Sequence, residues 1–290
     1  MSKMQSAFRQ GAQQSLSLLP KSWSSFIYRQ IKGLCRDVGG GTDVLQQVRL
    51  RTGGEMLLDI RDSQQRHIYY SRLYEYPYIS CLQNFIKSGD LFVDVGANIG
   101  FYTIWAALQV GLEGRVFSFE PNPLAYAFLE KNIELNELRN VNLYQVAVGE
   151  SDGMAQLEAR FDDLALSRIV RSETGKEIIS VTQKRLDTFF SETEKTQIKF
   201  IKVDAEGAEP EILQGGETIL EKRPDLLVEV DERRLGPSGS SEEELLALLT
   251  RYEYVPFWLN RRGQLVPFKL SAKKPVRNNL FFIPREKLLK

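Results

Sequence analysis

From residue 91 onward, the chain alternates short apolar runs with longer segments in which apolar residues recur every three or four positions. The short runs predict buried β-strands, and the longer segments predict amphipathic helices. The predicted strands are 91–95, 115–120, 141–148, 198–203 and 225–230, followed by 252–259 and 280–284. Strands that alternate with helices are typical of a parallel sheet covered on both faces, so we predict an α/β fold.

Several segments outside this alternation have patterns of their own. The runs 44–51 and 55–60, joined by a glycine turn, predict a β-hairpin, and residues 22–35 predict an amphipathic helix ahead of it. Later in the chain, two short predicted strands flank a polar loop at 162–175. We expect the hairpin to form a wall or lid beside the main sheet.

The stretch between the hairpin and the first main strand is rich in tyrosine. Its members are Tyr69, Tyr70, Tyr74, Tyr76 and Tyr78. Such a cluster either packs two elements together, with each hydroxyl reaching water, or lines a pocket.

The first main strand runs into a glycine turn, in the sequence Asp94-Val-Gly-Ala-Asn-Ile-Gly100. Gly96 permits a tight turn, and the helix that begins near Asn98 offers its N–H groups to a polar ligand. Because Gly96 and Gly100 lie four positions apart, the turn lacks the middle glycine of dinucleotide-binding folds. We therefore favour a ligand that is positively charged where it meets the turn, such as the amino group of a methionine moiety. Asp94 would accept hydrogen bonds from this group. The alternative is an ordinary buried strand and turn.

Acidic residues stand at the carboxyl ends of several predicted strands. They are Asp94, Glu120, Asp204, Glu206, Glu229 and Asp231. Ligands of open α/β sheets bind outside these strand ends, so we expect the six side chains to converge on one rim. Glu120 follows the glycine turn by about 20 residues, where such folds hold ribose hydroxyls.

Composition narrows the chemistry further. In 290 residues, 38 Lys and Arg balance 38 Asp and Glu, which argues against a dedicated nucleic-acid binder and favours a small or neutral substrate. His67 is the only histidine, so a catalytic base should be a carboxylate, a lysine or a tyrosine. Cys35 and Cys81 lack metal-binding spacing and are expected to be reduced packing residues.

Membrane and export signals are weak. No apolar run approaches the ~18 to 20 residues of a membrane span, and the first residues lack a secretory apolar core. We therefore expect a cytoplasmic protein without a membrane span.

Four sequence blocks carry a resemblance to a known family. They are 94–103, 119–123, 201–209 and 279–284, which read DVGANIGFYT, FEPNP, IKVDAEGAE and NLFFIP. In this order the blocks resemble those of the FkbM family of S-adenosylmethionine-dependent methyltransferases, over about residues 72–284. Residues 1–70 resemble nothing in that family.

The resemblance implies a class I methyltransferase (Rossmann-like) fold. Its sheet would be seven-stranded and mostly parallel with an antiparallel last strand, in a domain at 71–290 that follows a helix-and-hairpin extension at 1–70. The implied cofactor is S-adenosylmethionine. Its methionine part would be held by Asp94, Gly96, Asn98 and Gly100, its ribose by Glu120 and its adenine near Ala147 and Val148.

The resemblance also implies O-methylation of a hydroxyl on a small molecule or sugar. Asp204 is our candidate to position or deprotonate this acceptor, and Lys202 is a rival base if burial lowers its pKa. Glu206 is a further catalytic candidate, and Glu206 and Glu229 could join Asp204 around a Mg²⁺ ion. The alternative for residues 204–207 is a helix-capping turn held by carboxylates.

Two other functions stay open at this point. A nicotinamide-dependent oxidoreductase would share the glycine turn and the second-strand acid. A non-catalytic module would keep the cofactor pocket without turnover. A homo-oligomer and a monomer both fit the sequence.

Overall fold

The computed structural model describes residues 44–159, 164, 167–170, 178–236, 239–260, 262–268 and 279–289. The helix predicted at 22–35 and most of the loop predicted at 162–175 lie outside these residues.

Strands and helices alternate through most of the described chain. The strands are β1 (Leu45–Arg49), β2 (Glu55–Asp59), β3 (Leu91–Val95), β4 (Arg115–Phe119), β5 (Val141–Tyr144), β6 (Ala147–Val148), β7 (Gly153–Glu158), β8 (Arg168–Val170), β9 (Ile178–Lys184), β10 (Ile198–Val203), β11 (Asp225–Glu229), β12 (Tyr254–Leu259), β13 (Leu265–Pro267) and β14 (Asn279–Pro284). The helices are α1 (Ser63–Ser71), α2 (Tyr76–Leu82), α3 (Phe101–Val110), α4 (Pro123–Leu135), α5 (Leu186–Phe189), α6 (Glu192–Gln197), α7 (Glu209–Gln214), α8 (Glu217–Leu220), α9 (Glu232–Leu235) and α10 (Glu242–Arg251), and a 3₁₀ turn, Arg285–Leu289, follows β14.

The main sheet has eight strands in the order β13-β12-β14-β11-β10-β3-β4-β5. The pairs from β11 through β5 are parallel, whereas β14 runs antiparallel to both of its neighbours. This topology confirms the predicted α/β fold with a mostly parallel sheet and an antiparallel last strand. The short strand β13 adds an eighth member at the edge, beside the seven that were expected.

One predicted strand was wrong in its extent. The run 141–148 divides into β5, which completes the main sheet, and β6, which pairs with β9 in a separate four-stranded sheet of order β6-β9-β7-β8. The sequence of the run cannot reveal such a change of partner, because the partner strands of both halves lie elsewhere in the chain.

Two apolar layers cover the faces of the main sheet. Phe92 and Phe200 face the layer that contains α3 and stack with ring centroids 5.7 Å apart. Val93 and Ile201 face the opposite layer, which contains α7 and α10. Since side chains alternate along a strand, Asp94 and Lys202 lie on the same face as the two phenylalanines.

None of the helices in the described part of the chain has the length and apolar character that a membrane span requires.

The predicted hairpin is present and is joined to α4 by two asparagine side chains. Asn132 bonds the backbone N–H and carbonyl of Leu57 at 2.6 and 3.3 Å, and Asn136 bonds those of Glu55 at 2.7 and 2.7 Å. The two amides thus satisfy the edge of β2 as a further strand would. Asn132 also donates to the carbonyl of Ile99 at 2.9 Å, which ties the hairpin to the glycine turn.

Gly96 is the point of closest approach between the turns after β3 and β10. Its φ is +74°, and a Cβ atom there would lie 1.8 Å from the backbone oxygen of Asp204. The nearest atoms all belong to the backbone of Asp204 and Ala205, which leaves no room for a side chain.

We expect Gly96→Ala to be far more destabilising than its backbone angle alone requires. Gly263→Ala is the matched control, because Gly263 has the same φ of +74° but no atom within 4 Å of a Cβ. The control should lose about 1–2 kcal/mol, and Gly96→Ala should lose at least about 2 kcal/mol more. Urea unfolding of both variants measures the difference, and equal losses would contradict the close approach.

Candidate active site

A cavity of about 1120 Å³, its open mouth included, lies at the carboxyl ends of the parallel strands. Most of the predicted site residues line it. They are Gly96, Asn98, Glu120, Ala147, Val148, Lys202, Asp204, Glu206 and Glu229. Among the described residues, Asp94, Gly100 and Asp231 belong to the same region without lining the cavity. Gly100 immediately precedes α3 and has a φ of +95°, and the Asp231 carboxylate caps α9.

The glycine turn is tied to the neighbouring strand by backbone bonds. The N–H groups of Gly96 and Ala97 both donate to the carbonyl of Phe119, each at 3.0 Å. These two bonds hold the turn after β3 against the end of β4. Glu120, the residue predicted to bind the ribose, follows β4 directly.

Glu120 is a buried carboxylate held by two backbone donors. The N–H of Asn98 donates to its Oε2 at 2.7 Å, and the N–H of Asn122 donates to its Oε1 at 2.8 Å. Burial raises the pKa of Glu120 to about 7, against the opposing effect of these two donors. Each carboxylate oxygen can accept more than one bond, so a ligand hydroxyl can be added to this arrangement.

Asp94 and Lys202 form a buried ion pair beneath the cavity. Asp94 is fully buried, its Oδ2 accepts from Thr103 at 2.7 Å, and its Oδ1 lies 3.2 Å from the Lys202 ammonium. That ammonium also donates to the carbonyl of Gly96 at 2.7 Å and lies 3.8 Å from Asp204. The predicted contact of Asp94 with a cofactor stays a prediction, whereas its contact with Lys202 is direct.

The charge state of Lys202 follows from these neighbours. Burial lowers the pKa of its ammonium, but the negative charges of Asp94 and Asp204 outweigh burial, and the net pKa is raised. Lys202 is therefore protonated near neutral pH. The condition under which it would serve as a base, a pKa lowered by burial, is not met.

Asp204 also belongs to a cluster of three carboxylates, together with Glu206 and Glu229. One oxygen from each of Asp204, Glu206 and Glu229 lies within 4.8 Å of the other two. The guanidinium of Arg234 bonds Glu229 at 2.8 Å and also bonds Glu206. Burial raises the pKa of Glu206 to about 8 and also raises that of Glu229, where the charge of Asp204 adds to the effect.

This cluster also tests the Mg²⁺ hypothesis. Three carboxylates suit a hard cation, but Arg234 already bridges Glu206 and Glu229. An ion bound to all three acids would have to displace that guanidinium. In this structure the side chain of Arg234 takes the place that a cation would need. We therefore assign no catalytic step to a metal.

The turn after β10 is held by an acid of the block 201–209 to which the sequence assigned no role. Glu209 is almost fully buried, and its Oε1 accepts from the N–H groups of Ala205 and Gly207 at 2.8 and 3.3 Å. The helix-capping turn that we weighed for Glu206 thus depends on Glu209. Glu206 instead points its carboxylate at Arg234.

A polar wall from the segment before β3 also faces the cavity and was largely missed. The amide of Gln64 donates to the Tyr74 hydroxyl at 2.6 Å. The Tyr102 hydroxyl and the Asn279 amide donate to Oε2 of Glu75 at 2.7 and 3.3 Å. Tyr74 belongs to the tyrosine cluster and Asn279 to the last sequence block, but nothing in the pattern singled out Glu75.

The part of the cavity that is lined by residues after β5 and by the small sheet is mostly apolar, although Ser167 and Arg168 also line it. Val146, Ala147 and Val148 line it together with Leu157 and Ile169. The last two come from β7 and β8 of the small sheet, whose position over the main sheet could not be inferred from the sequence.

Comparison with known families gives a match to this same region. The sequence profile of the family described as "Methyltransferase FkbM domain" matches residues 94–256, which is more than half of the chain.

Individual relatives are more distant. The 2-O-methyltransferase NoeI of Sinorhizobium fredii is 27% identical over 184 residues, which cover 58% of this chain and 74% of that protein. Methyltransferase 1 of Beauveria bassiana is 26% identical over 142 residues, which cover 42% of this chain and 57% of that protein. The chain thus spans little more than half the length of the second relative.

Solved structures give only weak overall superpositions. An S-adenosylmethionine-dependent O-methyltransferase of Thermotoga maritima aligns with 82% of this chain and 77% of its own, with a TM-score of 0.40 and 13% identity.

The buried ion pair gives a testable prediction for stability. Lys202→Met leaves the Asp94 carboxylate buried without its cation, so we expect a loss of about 3–5 kcal/mol in the free energy of unfolding. Adding Asp94→Asn to that variant should restore part of the loss, since an amide is easier to bury than a charge. Urea unfolding of the two variants and the parent measures this, and a double variant no more stable than Lys202→Met would contradict it.

Proposed function

The chain belongs to the FkbM methyltransferase family, and from that premise we propose that it transfers the methyl group of S-adenosylmethionine to a hydroxyl oxygen of a small molecule or sugar. One observation carries this proposal. A mostly apolar end, the carboxylate of Glu120 and a cluster of acids line a single cavity in the order of the strands β5, β4, β3, β10 and β11.

In the proposed arrangement the cofactor lies along that rim. Its adenine occupies the apolar end near Ala147 and Val148, and its ribose hydroxyls donate to Glu120. Its methionine part then reaches the turn at Gly96. Asp94 supports this turn from below, because it holds Lys202, which in turn holds the Gly96 carbonyl.

Methyl transfer needs the acceptor oxygen, the methyl carbon and the sulfur in line. A lone pair of the acceptor oxygen forms the new bond to carbon while the carbon–sulfur bond breaks, which leaves a neutral thioether. The acceptor proton goes to a base, and we assign this role to Asp204. Its side chain is 25% exposed at the cavity, beside the protonated Lys202.

Glu206 and Glu229 have a different role in this proposal. Their raised pKa values disfavour the ionised form near neutral pH, so they are not available to take up the acceptor proton. Their shared bond to Arg234 fixes them as hydrogen-bonding groups. We propose that they orient the acceptor. The similarity to a relative named as a 2-O-methyltransferase supports oxygen as the accepting atom.

Glu120→Gln tests the cofactor site. We expect the affinity for S-adenosylmethionine to fall about tenfold, because an amide replaces the charged acceptor of the ribose hydroxyls. Calorimetric titration measures this, with Glu134→Gln on the exposed face of α4 as the matched control. Unchanged affinity in Glu120→Gln would remove the residue from the cofactor site.

The same titration has an expected pH dependence. The pKa of Glu120 is about 7, and ribose hydroxyls donate better to the ionised form. The affinity of the parent protein should therefore rise between pH 6 and 8, with proton release on binding, and the rise should be smaller in Glu120→Gln. A fall in affinity over this range would contradict the assigned sign.

Asp204→Asn tests the chemistry. We expect cofactor affinity to be retained and methyl transfer to fall at least about 100-fold, because a positioned base contributes roughly 10²–10⁴ in rate. Release of S-adenosylhomocysteine with a panel of sugar and small-molecule hydroxyls measures turnover. A normal rate would remove Asp204 from the mechanism, and cofactor binding without product by the parent protein would favour the non-catalytic module.

A further inference from the structure

Tyr74 lines the cavity but has no part in the proposed cofactor site or in the proposed proton transfer. It lies between α1 and α2, and its ring packs edge to face against Phe101 with ring centroids 5.6 Å apart. Phe101 is the first residue of α3, so this contact holds the tyrosine ring beside the helix that follows the glycine turn.

The direction of the hydrogen bonds around Tyr74 determines what its hydroxyl can offer a ligand. The side-chain amide of Asn98 donates to Oε1 of Gln64 at 3.4 Å, and Nε2 of Gln64 donates to the Tyr74 oxygen at 2.6 Å. In the described part of the chain this is the one hydrogen bond of the hydroxyl, and its oxygen is the acceptor. A hydroxyl also has one proton to donate, and that proton is left for a ligand in the cavity.

Two observations place this hydroxyl near the acids of the cavity and keep it protonated. The glycine turn that supplies Asn98 also meets the backbone of Asp204 at Gly96. Burial raises the pKa of the Tyr74 hydroxyl well above its usual value, and negative charges, among them those of Asp204 and Glu229, add to this effect. Since the effect of a charge falls with distance, Tyr74 lies on the side of the cavity that contains the assigned base.

Methyl transfer limits which atom of the acceptor the Tyr74 proton can meet. The attacking oxygen needs its lone pair for the methyl carbon, which lies in line with the sulfur. A donor bound to that oxygen would withdraw electron density from it and slow the attack. The donor is therefore of more use on a second oxygen of the acceptor, while the attacking hydroxyl gives its proton to Asp204. A donor and a base on one side of a cavity thus fit two neighbouring oxygens of one substrate.

We infer that Tyr74 selects acceptors in which a second oxygen stands on the carbon next to the methylated hydroxyl, as in the vicinal diols of a sugar. The inference rests on the proposed function and deepens it, because it names the class of hydroxyl compound. Tyr74 donates to the second oxygen and keeps its proton throughout, and the acceptor proton goes to Asp204 as before. An acceptor without the second oxygen leaves the Tyr74 donor unpaired, which costs affinity for the transition state.

Two substrates and two proteins form a cycle that measures this contact. The release of S-adenosylhomocysteine is followed with methyl glycosides of pyranose sugars and with deoxy forms that lack one oxygen next to the methylated position. Loss of that oxygen should lower kcat/KM about tenfold in the parent protein, and Tyr74→Phe should lower it about tenfold for the unmodified pyranoside. For the deoxy pyranoside, Tyr74→Phe should cause little further loss, because the contact is already absent.

A positioning variant and a control accompany this cycle. Gln64→Met removes the donor that sets the direction of the Tyr74 hydroxyl, so we expect a smaller loss, about threefold, again confined to the unmodified pyranoside. Tyr126→Phe on α4, outside the cavity lining, is the matched control and should leave both rates unchanged. Calorimetric titration of Tyr74→Phe with S-adenosylhomocysteine should give the affinity of the parent, which shows that the pocket is folded.

The possible failures are distinguishable. Equal losses on both pyranosides in Tyr74→Phe, or a loss on neither, would overturn the role of Tyr74. A fall in cofactor affinity in that variant would also overturn it, because the residue would then belong to the cofactor site. If the parent methylated only acceptors with an isolated hydroxyl, such as cyclohexanol, the proposed function would stand and the inference would be wrong. If it methylated no hydroxyl compound, the proposed function would fail and the inference would fail with it.

Discussion

The ion pair between Asp94 and Lys202 is the interaction on which the rest of the site depends. Strand register sets the two residues opposite each other on β3 and β10, and both side chains are almost fully removed from solvent. A buried pair is stable only when further hydrogen bonds satisfy both charges. Thr103 supplies one such bond to Asp94, and the carbonyl of Gly96 accepts the other from Lys202. The same residues therefore fix the glycine turn relative to the turn after β10.

The acids around the cavity have three kinds of partner. Lys202 neutralises Asp94, backbone N–H groups hold Glu120 and Glu209, and Arg234 bridges Glu206 and Glu229. Burial raises the pKa of Glu120, Glu206, Glu209 and Glu229, and these partners oppose that effect only in part. Backbone donors can be shared with a ligand hydroxyl, whereas a guanidinium holds its carboxylates in one geometry. One rim of acids can thus contain a binding group, positioning groups and a base.

The sequence pattern predicted what depends on local periodicity. Strand and helix alternation, the hairpin and the positions of Gly96 and Glu120 were all accessible, because each depends on spacing along the chain. The sequence could not show whether the pKa of Lys202 is raised or lowered, since this depends on the distance from Lys202 to Asp94 on the neighbouring strand. Glu75 was also inaccessible, because its donors Tyr102 and Asn279 come from distant segments. The bridge made by Arg234 was inaccessible because one of its acids, Glu206, lies at the end of another strand. The break between β5 and β6 was not predicted, because the pattern of residues 141–148 does not show which strand each half pairs with.

Backbone conformation separates the site from the rest of the fold. Among the described residues, seven non-glycine residues have positive φ. Four of them, Arg72, Glu137, Arg223 and Glu253, follow helices, where a left-handed residue commonly ends the helix. The other three, Glu75, Asn98 and Glu206, line the cavity.

The left-handed conformation of a residue with a side chain costs about 1–2 kcal/mol. Here a hydrogen bond or ion pair offsets each one, to Tyr102, Glu120 or Arg234 respectively. Because strain of this kind persists only where surrounding contacts enforce it, the three positions are held rigidly before any ligand arrives. Ligand binding then needs little further ordering of these groups, which favours affinity for a ligand that fits them.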